Sequence, residues 1–168
     1  MLSGLNTTPL PLDECHKARR HRLLFAARSL TAGGSFLVAA AMFHFLAASH
    51  IPLVLRKALD AEAFAFLEPI ASFAFLLNGV LLLPLAFSTL YCATGVRRGE
   101  RWAWWIGLAN ALTVLALPCV LVSSMGLGYF SGAPLFLAGA LSVTIAALLM
   151  LLTLLWARKA ILQRDPRL

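Results

Sequence analysis

Four stretches of this chain carry no ionised side chain: roughly Ser29 to Ala48, Pro69 to Thr94, Trp102 to Met125 and Leu135 to Trp156. Each reaches the ~20 residues that a helix needs to cross roughly 30 Å of hydrocarbon. A membrane interior offers no water to backbone N–H and C=O groups, so such segments must satisfy them internally as helices. Barrel strands are about ten residues long with strict alternation, and these segments are neither. Composition agrees. The 168 residues are 61% hydrophobic and 12% charged, whereas a soluble domain is about half apolar and about a quarter charged. A water-soluble fold of this size would leave large apolar patches exposed.

The expected fold is therefore all-α: an integral membrane four-helix bundle, up-down-up-down, with helices at about 29–48, 69–94, 102–125 and 135–156. They form one transmembrane unit over residues 23–158, between a basic arm at 1–22 and a short tail at 159–168. The first segment follows a basic flank, His16-Lys-Ala-Arg-Arg-His-Arg22, as a signal peptide does. Its apolar run exceeds the usual signal core, so a retained helix is expected.

The basic residues orient the chain. With the N-terminus in the cytoplasm, all 14 lysines and arginines except Arg56 and Lys57 fall on the cytoplasmic side. Cytoplasmic loops carry such an excess, which places both termini inside. The net charge of +7 lies in clusters flanking apolar runs, a pattern that points to anionic lipid headgroups and away from nucleic acid. The expected location is the inner (plasma) membrane of a bacterium.

The segment GVRRGERWAWW, Gly95 to Trp105, reads as the cytoplasmic turn between the second and third helices. Gly95 and Gly99 allow the reversal. Arg97, Arg98 and Arg101 hold the turn at the inner surface. Trp102, Trp104 and Trp105, with Trp156 on the fourth helix, form an interfacial aromatic belt. A docking patch for a partner is the alternative reading of the same residues. On the other side, residues between His50 and Glu68 read as a loop holding a short surface helix. Ile51, Val54, Leu55, Ala58 and Leu59 mark its apolar face, and Glu68-Pro69 opens the second span. Gly126 to Pro134 reads as a tight outer hairpin with Tyr129 and Phe130 at the interface.

Polar residues inside a span are functional suspects. Counting ~1.5 Å per residue from each face puts Asn78 and Asn110 at similar depths, close enough for a hydrogen bond. That pair serves either as interhelix glue or as the lining of a ligand cavity or path. His44, near the outer end of the first span, faces Glu68 at the start of the second. A carboxylate there would favour imidazolium, giving either an acid–base pair for a lipid-like substrate or an ordinary interfacial histidine.

Several sites are not encoded. Only His44 lies at membrane depth, where haem ligation in a bundle needs two axial ligands. No HExxH, clustered His/Cys set, nucleophile elbow or phosphate-cradling loop occurs. No metal or cofactor is expected. Cys15, Cys92 and Cys119 form no CxxC, and their odd number leaves at least one unpaired. Pro84 and Pro118 are candidate kinks in the second and third spans.

The layout of four spans, with RRGERWAWW opening the third, resembles small bacterial tetraspan proteins of the DoxX-like group. That resemblance implies a four-span fold and an association with membrane redox or quinone-linked complexes. It supplies no catalytic set for transfer. Three functions remain open, in this order. The first is a non-enzymatic multi-pass protein, either an accessory subunit with a membrane-protein partner or second copy, or a binder of a small hydrophobic ligand. The second is a membrane enzyme acting on a lipid or quinone through His44 and Glu68. The third is a small transporter with Asn78 and Asn110 along its path.

Overall fold

A computed structural model describes residues 12–125 and 134–162. They form four helices: α1 (Leu12–Ala58), α2 (Ala61–Arg98), α3 (Arg101–Met125) and α4 (Pro134–Leu162). The described residues contain no strand. All four helices are long and apolar enough to cross a membrane. α1 packs on α2 and α4, and α3 packs on the same two, so the helices close a ring in chain order. The expected hairpin at Gly126 to Pro134, with Tyr129 and Phe130, lies outside the described residues but for Pro134.

The bundle is held by close approach of small side chains. Ala26, Ala27, Ala41, Ala86, Ala93, Ala103, Ala111, Ala147 and Ala157 are buried, and between them sit Leu30, Leu37, Met150 and Leu154. Lipid tails are as apolar as leucine, so burial of apolar area does not drive helices together in a membrane. Packing and interhelix hydrogen bonds do. The glycines serve this packing: a Cβ on Gly95 would meet that of Ala103 at 2.5 Å, and one on Gly33 would collide with the Met150 sulfur. Large apolar side chains such as Phe87, Leu112, Val120 and Ile145 point outward. A helix apolar on all sides is suited to a lipid surround.

Two corrections concern element boundaries. There is no separate surface helix between His50 and Glu68. α1 continues through His50 and Pro52 to Ala58, and α2 begins at Ala61. Only Leu59 and Asp60 connect them. Asp60, in extended conformation, caps α2 by accepting from the Ala63 amide at 2.8 Å. Pro69 does not open the second helix but lies well inside it, as Pro84 does. No glycine interrupts 50–68, and alanines at 58, 61, 63 and 65 favour helix. The result is a pair of helices of 47 and 38 residues beside helices of 25 and 29. At ~1.5 Å per residue, α2 outreaches α3 by about 20 Å. Beyond the four-helix part, residues of about 50–72 thus form a two-helix arm with Leu53, Val54, Phe66, Leu67 and Ile70 exposed.

At the opposite end the α2–α3 turn is tighter than expected. Arg97 and Arg98 are the last residues of α2, and Arg101 is the first of α3. Gly99 alone takes a left-handed conformation, φ 76°, and its N–H closes on the Val96 carbonyl while Glu100 N–H reaches that of Gly95. This is the helix ending that glycine permits at no steric cost. Gly95 lies inside α2, and its role is the contact with Ala103. The basic arm is also structured in part, since α1 already runs from Leu12 through the basic cluster.

Candidate functional site

The polar side chains within the bundle fall into three groups. The first is at mid-bundle. Asn110 on α3 is nearly buried, and its amide nitrogen donates to Ser88 Oγ at 3.0 Å and Thr89 Oγ1 at 3.2 Å, both on α2. Thr89 is fully buried and donates onward to the Leu85 carbonyl at 2.7 Å. Asn78, in contrast, is exposed on α2. The expected Asn78–Asn110 pairing does not occur. Depth is set by distance from the shared turn, and Ser88 lies as far before Gly99 as Asn110 lies after it. Asn78 is ten residues farther out than Ser88, about 15 Å along the helix. Counting from two opposite faces misplaced α2, because that helix starts at Ala61 rather than at Pro69.

The second group lies towards the arm. His44 Nδ1 is 2.7 Å from the Ala40 carbonyl of its own helix, and its ring lies against Phe43 and, at 5.7 Å, Phe75 of α2. Glu68 accepts from Ser72 Oγ at 3.1 Å. The two are not brought together: α2 meets His44 at Phe75, about two turns past Glu68. His50, expected in a loop, sits in α1 with Nδ1 2.8 Å from the Leu46 carbonyl. The described residues contain no group of three or more His, Cys, Asp or Glu suited to a metal ion. Of the three cysteines, Cys92 is buried and Cys15 and Cys119 are exposed; all are free.

The third group is the basic end, where side chains tie the helix termini together. Arg19 on α1 donates to the Ala160 carbonyl at 3.0 Å, and Arg101 on α3 donates to that of Leu162 at 3.1 Å. Two guanidinium groups from neighbouring helices thus reach carbonyls in the last described turn of α4. Arg98 and Glu100 approach to 3.9 Å across the turn, and Glu100 also accepts from the Trp102 indole at 2.6 Å. Arg97 and Arg98 are exposed.

The expected belt divides. Trp102, Trp105 and Trp156 are exposed in part, at 39%, 59% and 45%. Trp104 is buried, and its indole donates to the Leu154 carbonyl of α4 at 2.8 Å. It is therefore an interhelix bolt rather than an interface anchor. Adjacent helical positions cannot share a face, so Trp104 and Trp105 had to part. Trp156 lies edge-on to Phe25 and His21, and the Arg22 guanidinium sits 5.4 Å from its ring centroid. Arg19, Arg22, Ser88 and Thr89 were not singled out from the sequence. The symmetric spacing about Gly99 would have found Ser88 and Thr89.

No protein-family model, curated protein or solved structure matches this chain. The DoxX-like resemblance therefore rests on the layout and RRGERWAWW alone.

Proposed function

We propose that the chain is a non-catalytic, multi-pass accessory subunit of a bacterial plasma membrane, which holds a membrane-protein partner through its α1–α2 arm. The observation that carries this reading is the overhang. α2, with α1 beside it, continues about 20 Å past the last described residue of α3 and about 14 Å past the first of α4, and the continuation keeps an apolar surface: Leu53, Val54, Phe66 and Ile70 are each more than half exposed. The four-helix part is surrounded by lipid on every side. The arm extends past the described ends of α3 and α4, and a partner of similar height would cover it. Arg56, Lys57, Asp60 and Glu62 place both signs of charge at its tip, which suits a polar rim around an apolar contact.

In this reading both termini and the turn at Gly99 face the cytoplasm, and the arm points outward. The enzyme alternative paired His44 with Glu68, which lie about two turns apart along α2; the transporter alternative set Asn78 and Asn110 along one path, whereas Asn78 is exposed and Asn110 is held by Ser88 and Thr89.

Photocrosslinking in intact membranes tests the proposal. A photoreactive residue replacing Phe66 should give one discrete adduct with a different protein, and the same residue replacing Ile145 on α4 should give only lipid adducts. Val54→Asn with Ile70→Asn should weaken the Phe66 adduct at least about tenfold, the effect of ~1.4 kcal/mol. An adduct of twice the chain's mass would replace the accessory reading with self-association. Lipid adducts alone at both positions would overturn it.

A further inference from the structure

The basic end carries a second feature, independent of the arm and of the proposal built on it. α1 and α4 leave between them an open groove of about 370 Å³, lined by Phe25, Leu149, Leu152, Thr153 and Trp156. It is apolar throughout, because the single hydroxyl, that of Thr153, is turned back to the Met150 carbonyl at 3.0 Å. Leu149, Leu152 and Trp156 recur at helical spacing, so the groove follows α4 from the basic end towards the middle of the bundle.

Arg22 and Lys159 mark the basic end of this groove, and Arg28 flanks it farther in. Arg22 lies over the Trp156 ring. Lys159 continues the Leu152–Trp156 face by one turn and is exposed. Arg28 follows Phe25 by one turn on the exposed face of α1. Leu23 borders the Gly99 turn, so Arg28 sits about 7.5 Å farther into the bundle than that turn. No carboxylate pairs with Arg22, Arg28 or Lys159 among the described residues, where the ion pair formed is Arg98–Glu100. A guanidinium on a lipid-facing surface at that depth calls for a counter-charge, and phosphate matches its planar fork in two parallel hydrogen bonds.

We infer that this groove binds one anionic phospholipid, with its phosphate held between Arg22 and Arg28 and an acyl chain lying along Phe25, Leu149 and Leu152 against Trp156. An amphiphile with a negative head and a long apolar tail matches both the charge and the direction of the groove. Basic pockets between membrane helices at the headgroup level recognise lipids in this way.

Native mass spectrometry of the full-length protein in detergent, titrated with phosphatidylglycerol or with phosphatidylcholine of identical chains, tests it. The wild type should retain phosphatidylglycerol preferentially. Arg22→Gln and Arg28→Gln should each cut that retention about fivefold, the loss expected for one basic residue at a lipid surface. Arg97→Gln with Arg98→Gln, which removes twice the charge of either variant but at the turn, should leave the preference intact. Leu152→Trp keeps every charge, fills the groove and should lower retention of both lipids, so the test survives if a charge variant fails to fold. Equal retention of the two lipids by the wild type would overturn the inference. So would an unchanged preference in the Arg22 and Arg28 variants, an equal loss in the turn variant, or full retention by Leu152→Trp.

Discussion

Asn110 shows what one polar residue does in an apolar bundle. Its two hydrogen bonds link α3 to two successive residues of α2. Interhelix hydrogen bonds in membranes are worth about 0.6–2 kcal/mol. Asn110→Leu should lower the stability of the detergent-solubilised protein by about that amount, read as a shift in its denaturation midpoint, and Asn78→Leu should leave the midpoint unchanged. A larger effect at Asn78 would contradict the assignment. Trp104 and Trp105 allow the same comparison. Trp104→Phe strands the Leu154 carbonyl contact and should destabilise by about 1 kcal/mol, while Trp105→Phe on the lipid face should not. The residue types at both sites were legible in the sequence as polar-in-span and aromatic belt. Their partners were not, because a partner depends on rotation about the helix axis and on the level at which each helix starts. The Asn110 level could be read by counting outward from Gly99. His44 and Glu68 could not, since the continuous path of α1 and α2 through 50–68 is a matter of which signals win. A single Pro52 is weaker there than the surrounding helix-forming residues.

At the level of elements, the number and type of helices follow from uncharged length alone, and four such stretches became four helices. The termini of those helices moved outward by up to about five turns, at the start of α1, because apolar length marks the stretch suited to lipid and not the length of the helix that crosses it. Asp60 is the residue that separates α1 from α2. Its carboxylate holds the Ala63 amide, and replacing an N-cap by alanine costs about 0.5–2 kcal/mol. Asp60→Ala should loosen the arm tip while leaving the four-helix part intact. Hydrogen exchange should then rise at 58–66 and stay unchanged at 86–96; a uniform rise would show that the arm and the bundle open as one unit. Small residues at the contacts carry the opposite expectation. Gly95→Leu places bulk against Ala103 beneath the turn, where the nearest atom is a Cβ that cannot rotate away. It should destabilise the whole bundle by more than Gly139→Leu, since a Cβ at Gly139 meets no atom within 4 Å.

For the whole molecule, three features share one axis. A basic end ties α4 to α1 and α3 through Arg19 and Arg101. A mid-section packs alanines and glycines around one polar link, and an arm continues past the bundle. Counting charges predicts that the basic end faces the cytoplasm, and the partner contact proposed for the apolar arm then lies on the other side. The accessory role was proposed with this orientation, and the orientation is open to direct measurement. In a variant lacking Cys15, Cys92 and Cys119, single cysteines at Lys57 and at Glu100 report the two ends to a membrane-impermeant maleimide. The account predicts that Lys57→Cys is labelled in intact cells and Glu100→Cys only after the membrane is opened. Labelling of Glu100→Cys in intact cells, or recovery of the protein in the soluble fraction without detergent, would contradict it.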